Sequence, residues 1–492
     1  MVMKQVVVLH GWSDDSDSFK PLIAFLKKNG FNVTTLFLGD YVSLRDDVRI
    51  EDVGRRMEEV IREKMAKPSS AKDRLEPTFD LVVHSTGGLL ARWWISEYYK
   101  DRKCPVRNLV MLAPANFGSV LAHTGRSMLG RLFKGFKTGF EVGEEMLHSL
   151  ELASAFQGDL ADRDLFRENG SDSTVFYAPD KVRLFVITGT HPYGGRARKL
   201  INENGSDGTV RVAAANMNAR GVTVDFTTSL TDPDVRPWRR RGGANQAFAL
   251  AVLPDRDHSN VTRPADKGYA TDATYRGQLG AVVLSALSTN TASQYATRVK
   301  EWEQISLDTR TFAGAGKDAK AHRKSIFGKD EPEAEYFHEH YQLVIEAVDQ
   351  YGAPVPEYFV EFFPKPSKLK SFSSFNKASL FFHDEVIEDI HVNRRTPHRR
   401  CFFIDRYDMM CAGGFYAQIP SSGLKSLAMT ITATDPGDNV SYFKHGEARS
   451  RGVVQLHGKL QADRWLKRHS THFIRIIVPR IGSDKLFRLK KA

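Results

Sequence analysis

Residues 79–92 read FDLVVHSTGGLLAR, and this stretch constrains the fold more tightly than any other part of the chain. The apolar run Phe79 to Val83 predicts a buried strand. A helix-like stretch, Leu89 to Tyr99, follows with only His84, Ser85, Thr86, Gly87 and Gly88 between them. A serine on so sharp a strand-to-helix turn has its hydroxyl lifted above the sheet, within reach of a base and a substrate. The glycines let the turn close and let the helix pack near the strand. The pattern departs from the usual nucleophile turn at one position, where Val83 stands in place of glycine. A plain junction whose Ser85 only caps the helix has the same local pattern, so the rest of the sequence must decide between the two.

A serine used this way needs backbone donors for an oxyanion, then an acid, then a histidine, in that chain order. The first apolar strand, Gln5 to Leu9, runs into His10, Gly11 and Trp12. The N–H groups of Trp12 and Thr86 are the expected oxyanion donors, preorganised to hold the charge of a tetrahedral intermediate. The strand at 182–190 leads to a polar loop ending Asn204-Gly205-Ser206-Asp207-Gly208. Asp207 is the expected acid, placed to orient an imidazole and stabilise its charged form. An Asp-Gly turn between strands is the alternative reading. His258 follows the apolar run Phe248 to Leu253 and is the expected base. Among the 16 histidines, His191 is the alternative base, and His84 is expected to point inward as a packing residue.

These segments carry a family resemblance. LHGW at 9–12, HSTGG at 84–88, APANFGS at 113–119, GSDGTV at 205–210 and DHSNV at 257–261 fall in the expected order, and residues 1–290 resemble the bacterial lipase and esterase branch of the α/β-hydrolases. The resemblance implies a Ser85–Asp207–His258 triad, a serine ester hydrolase acting on a lipid or small ester substrate, and no cofactor. An acyltransferase would use the same triad, and a catalytically silent scaffold binding membrane or protein is the non-enzymatic alternative. The chain also bears a loose similarity to lipase effectors of type VI secretion, which would imply phospholipase A activity and an immunity protein as partner.

Helix and strand patterns alternate through the first half: helical spacing at Phe19 to Lys28, a strand at Val33 to Leu38, an amphipathic helix at Ile50 to Met65 and a strand at Val106 to Leu112. Such alternation predicts a mostly parallel sheet flanked by helices. No strand is evident from Phe117 to Val182. Within that span Leu129, Leu132, Phe133, Phe136 and Phe140 share a helical face with basic flanks, which suits a lipid–water interface and peripheral membrane contact. The expectation is a helical lid or cap over about residues 118–180, with Phe117, Leu132, Phe133 and Phe136 lining an acyl pocket. The catalytic domain is thus assigned to 1–309. The polar stretch 310–334 reads as a linker. From 335 to 492, short alternating runs at 340–348, 358–363, 400–404, 414–419, 426–433 and 472–478 predict an all-β, sandwich-like accessory domain, with protein, glycan and membrane left open as its partner.

With 70 Lys and Arg against 59 Asp and Glu the net charge is +11, which favours anionic surfaces without selecting among them. No nucleic-acid module is recognisable, and Arg239-Arg240-Arg241 reads as a solvated loop. No apolar run reaches the ~20 residues of a membrane span. Met1 to Lys4 leads straight into a strand without a secretory pattern, so the expected location is cytoplasmic, or outside the cell by a route that uses no signal peptide. The three cysteines, Cys104, Cys401 and Cys411, point to a reducing compartment, with a Cys401–Cys411 pair left open. No Cys/His cluster has zinc spacing, so no metal is expected.

Overall fold

The computed structural model describes residues 4–9, 18–36, 47–68, 70, 74–123, 143–167, 173–191, 203–243, 246–266, 277–315, 338–366, 380, 382–406, 409, 424–443, 452–455, 466–484 and 486. The chain divides into two compact units. One comprises Met1–Asn218 with Arg239–His338, the other Ala219–Trp238 with Glu339–Ala492.

The first unit is built on six parallel strands: β1 (Gln5–Leu9), β2 (Asn32–Leu36), β3 (Phe79–His84), β4 (Val106–Leu112), β5 (Arg183–Gly189) and β8 (Ala249–Leu253). Their order across the sheet is β8-β5-β4-β3-β1-β2. The central strands are buried along their whole length, because a parallel sheet covered on both faces has no solvent side. Helix α1 (Lys20–Lys28) and helix α2 (Ile50–Ala66) are amphipathic. In α2 the buried residues Val53, Met57 and Ile61 recur every fourth position and form its inward stripe. Helix α3 (Gly87–Tyr98) differs: every residue from Gly87 to Ser96 is buried, so the helix after Ser85 is held on all sides. Helices α4 (Glu144–Leu150) and α5 (Ala155–Asp164) occupy the end of the expected cap. Helix α6 (Leu279–Leu287) precedes α7 (Ala292–Ala315), which packs Tyr295 and Trp302 on Phe185 of β5 at ring distances of 5.2 Å each. Residues 310–315, expected as the start of a linker, continue α7; the rest of that stretch lies outside the described residues up to 337.

Among the described residues the second unit has three sheets, the smallest a two-stranded antiparallel ribbon of Val440–Tyr442 with Arg480–Gly482. A mixed six-stranded sheet runs through β6 (Arg220–Asp225), β7 (Asp234–Pro237), β9 (His340–Asp349), β11 (Ile387–Val392), β12 (Arg399–Asp405) and β15 (Ser470–Val478), in the order β11-β12-β9-β15-β6-β7. An antiparallel sheet joins β10 (Tyr358–Pro366), β13 (Leu424–Ala433) and β14 (Gly452–Gln455) in the order β10-β13-β14. Leu343 and Ile345 of β9 and Ile474 and Ile476 of β15 share one buried cluster with Phe362 of β10 and Met429 and Ile431 of β13. This is the expected sandwich, with alternate residues of each strand turned to a common core.

Two expectations change. The hairpin β6–β7, placed in the first domain by its position in the sequence, pairs with β15 and completes the sheet of the second unit. In the span where no strand was evident, Phe166–Arg167 pairs with Arg239–Arg240 as a two-stranded ribbon. The triple arginine is therefore not a free loop. Arg240 lies over the Phe248 ring at 4.8 Å, and Arg241 donates to the Thr174 carbonyl at 3.2 Å. Residues 124–142, which include Leu132, Phe133 and Phe136, and the run 414–419 with Cys411 lie outside the described residues.

Candidate active site

Ser85 sits between β3 and α3 with φ of +53°, a left-handed conformation that costs a non-glycine residue about 1–2 kcal/mol. Its N–H donates to Leu112 O at 3.0 Å, and its carbonyl accepts from Gly88 at 3.0 Å and Ala115 at 3.4 Å. These bonds tie the strained turn to the end of β4. The turn also explains why Val83 is tolerated. A Cβ added at Gly87 would lie 3.3 Å from the Val83 Cβ, so the bare second glycine makes room for the side chain at the first position.

The loop that follows β5 supplies Asp207, which is fully buried. Its Oδ1 accepts from the N–H of Thr209 at 3.0 Å and of Val210 at 2.8 Å. Its Oδ2 faces His258 Nδ1 at 2.9 Å, and its backbone carbonyl accepts the His258 N–H at 2.9 Å. A carboxylate with one oxygen held by two backbone donors presents the other in a fixed direction.

His258 lies in the loop after β8. The loop runs against the end of β5, where a Cβ at Gly189 would come within 1.7 Å of the Arg256 carbonyl oxygen; only glycine permits that approach. Downstream, Asp257 Oδ1 accepts from the N–H groups of Ser259 and Asn260, each at 2.8 Å. This turn fixes the backbone on the far side of the imidazole. His258 Nε2 is 2.9 Å from Ser85 Oγ. With Nδ1–H donated to the carboxylate, Nε2 is left as the acceptor of the serine proton. Ser85, Asp207 and His258 are thus brought into one hydrogen-bonded chain, and all three residues are buried.

His84 does more than pack. Its ring stands edge-on to Phe19 at 5.8 Å, as an inward residue would, but its Nε2 also bonds the backbone carbonyl of His258 at 2.9 Å. His258, and not the alternative base His191, makes the hydrogen bond to Ser85 Oγ; the backbone N–H of His191 donates to Arg256 O at 3.1 Å. Thr86 is the N-cap of α3, and no backbone acceptor for its N–H is found among the described residues. Trp12, the other expected oxyanion donor, lies outside them.

Phe117, expected to line a pocket, is fully buried, with the Arg92 guanidinium 5.0 Å from its ring centroid. It belongs to the interior rather than to an open acyl surface. Arg92, on α3, is itself fully buried and makes a two-pronged ion pair with Asp164 of α5 at 2.8 and 3.0 Å. Arg92 also donates to Asn116 O at 2.9 Å, and Tyr177 OH donates to Asp164 at 3.1 Å. This buried network, which sequence reasoning missed, ties the helix that follows Ser85 to the described end of the cap.

Comparisons with known proteins find similar folds. The family model described as palmitoyl protein thioesterase matches residues 5–161, from β1 through most of α5 and including Ser85, but not Asp207 or His258. Phospholipase PlaB from Legionella pneumophila is structurally similar over 100% of this chain and 96% of its own, with a TM-score of 0.76 at 23% identity. A structure of PlaB in complex with thio-NAD matches over the same shares, with a TM-score of 0.75 at 24% identity. The mature lipase BlEst2 from Bacillus licheniformis matches 53% of this chain and 87% of its own at 16% identity, with a TM-score of 0.35. A search of curated protein sequences gives no match. Among the described residues no helix is long and apolar enough to cross a membrane.

Proposed function

From the α/β-hydrolase fold of the first unit and its shared two-unit architecture with PlaB, we propose that this chain is a serine hydrolase of lipid-like carboxylic esters. The observation that carries the reading is the pair of 2.9 Å hydrogen bonds linking Ser85 Oγ to His258 Nε2 and His258 Nδ1 to Asp207 Oδ2.

In this mechanism Ser85 Oγ attacks the acyl carbonyl carbon while its proton passes to His258 Nε2. The carbonyl oxygen becomes an oxyanion, held by the Thr86 N–H and, by sequence position, that of Trp12. Collapse of the intermediate breaks the bond to the leaving alcohol, which takes the proton from Nε2, and an acyl-serine remains. A water then gives its proton to Nε2 and attacks the acyl carbon. The second collapse returns the proton to Ser85 Oγ and releases the fatty acid. Asp207 keeps Nδ1 protonated throughout and stabilises the transient imidazolium.

One similar structure is named a phospholipase, and the matching family model is described as a palmitoyl protein thioesterase. They favour a phospholipid acyl ester as substrate, with cleavage of phospholipase A type. The test is incubation of full-length protein and a Ser85→Ala variant with phosphatidylglycerol–phosphatidylcholine vesicles, with products read by lipid mass spectrometry. Free fatty acid and lysophospholipid from the native chain alone support the reading. Equal product from the variant overturns it.

A further inference from the structure

The second unit brings together three side chains that the ester hydrolase has no use for. His340 opens β9 and Asp405 closes β12, and the two are direct register partners across the antiparallel pair. Cross-strand partners project from the same face of a sheet. His340 Nε2 and Asp405 Oδ2 lie 3.7 Å apart, beyond hydrogen-bond range, and both residues are almost fully buried.

The third side chain arrives through an irregularity. β11 pairs with β12 in register except between Ile387 and Asp389, which oppose the consecutive residues Ile404 and Phe403. Glu388 is the extra residue of this bulge. Bulges re-aim a side chain that regular alternation would direct elsewhere, and they concentrate beside functional sites. Here one carboxylate oxygen of Glu388 joins one oxygen of Asp405 and one ring nitrogen of His340, all within 4.8 Å of one another. Glu388 is half-buried and lies on the edge strand of the sheet, so the cluster has a solvent side.

We infer that His340, Glu388 and Asp405 form a binding site for one divalent transition-metal ion, with Zn²⁺ the best match. Zn²⁺ takes imidazole nitrogen and carboxylate oxygen at about 2.0–2.2 Å, which sets neighbouring donors of a tetrahedron roughly 3.4 Å apart. The 3.7 Å separation of His340 and Asp405 is close to that edge. One nitrogen and two carboxylates leave a fourth position for water. The imidazole selects against Mg²⁺ and Ca²⁺, which take oxygen donors. Two carboxylates neutralise the ion in a buried site, where an uncompensated charge would be costly. The bound ion would pin edge strand β11 to β12 and β9, so its expected effect is on the stability of the second unit. The residues are spaced 48 and 17 apart, which is why no zinc spacing is visible in the sequence.

The test uses the full-length protein, stripped with chelator and titrated with ZnCl₂ in competition with a chromophoric chelator, with thermal unfolding followed in parallel. The native chain is expected to bind one tight equivalent and to gain about 5 °C in melting temperature at saturating Zn²⁺. Glu388→Gln and Asp405→Asn should each weaken that equivalent at least tenfold and remove the thermal gain, whereas His148→Gln, a control far from the trio in sequence, should leave both unchanged. The same titration with CaCl₂ should give no gain. Absence of a tight Zn²⁺ equivalent in the native chain overturns the site, as does an equivalent unaffected by both carboxylate substitutions. Glu388→Gln, half-buried and isosteric, keeps the test valid if Asp405→Asn does not fold.

Discussion

The ring of His84 bonds through Nε2 to the backbone carbonyl oxygen of His258 at 2.9 Å, so the residue before the candidate nucleophile holds the residue proposed as its base. A carbonyl only accepts, so Nε2 of His84 carries a proton. The two rings are 4.8 Å apart. His84 is thereby a positioning residue. His84→Phe should lower kcat on a p-nitrophenyl ester roughly tenfold with KM little changed, since the bond holds the base and not the substrate. His84→Gln, which keeps an N–H donor, should recover part of the loss. A fall in KM and kcat together, without recovery, would show a merely structural role.

The environment of Asp207 makes its amide variant informative. Two backbone N–H groups point at Oδ1, so Asp207→Asn must keep its oxygen there and turn its NH₂ toward His258. The imidazole then offers a bare Nδ1, and the proton moves to Nε2, where it blocks acceptance from Ser85. The expected result is a loss of about 10⁴-fold in kcat, as for a wrong tautomer, with the melting temperature little altered. A residual rate within tenfold of the native one would remove Asp207 from the mechanism.

Breaking the buried Arg92–Asp164 pair should be costly. Arg92→Met leaves the Asp164 carboxylate buried against Tyr177 without its cation, an expected loss of about 3–5 kcal/mol in urea unfolding. Replacing both partners, Arg92→Met with Asp164→Leu, should recover much of that loss. Additive losses in the double variant would show that the pair is not coupled.

Glu58 ties α2 to α3 and gives the fold an acid-sensitive point. Burial pushes its carboxyl pKa up, but bonds from Trp94 at 2.7 Å, Arg102 at 2.5 Å, Arg62 at 2.5 Å and Tyr99 at 3.0 Å outweigh burial and hold it below the ordinary value. A folded-state pKa below the unfolded one contributes stability that is present above the unfolded value of 4.5 and lost as the pH falls through the folded value. The urea midpoint should therefore decline on acidification below that point. In Glu58→Gln the midpoint should be lower at neutral pH and the decline shallower. An unchanged slope would assign the acid sensitivity to other carboxylates.

The parts of the site that could be read from sequence were those fixed by local geometry and chain order. Ser85 stood out because an apolar strand, a glycine pair and a helix leave one place for an exposed hydroxyl. Asp207 and His258 followed from their positions after late strands. The Val83 departure could not be judged without knowing that its Cβ faces Gly87. Neither the His84 bond to a backbone carbonyl nor the Arg92–Asp164 pair has a spacing signature, since each joins residues from elements far apart in the chain. In the second unit, β9 and β15 were visible as alternating runs. Their parallel pairing was not, because parallel partners come from distant segments and leave no hairpin turn between them.

The hairpin formed by β6 and β7 has a practical consequence for genetics and folding. Those 20 residues, Ala219–Trp238, are translated more than 100 residues ahead of the sheet they complete. No single cut in the gene yields both halves whole: a fragment ending at 309 carries a hairpin with nothing to join, and one beginning at 335 has an open flank on β15. The accessory portion is therefore not a cassette that recombination could append or exchange, and truncated chains would report on two damaged halves at once.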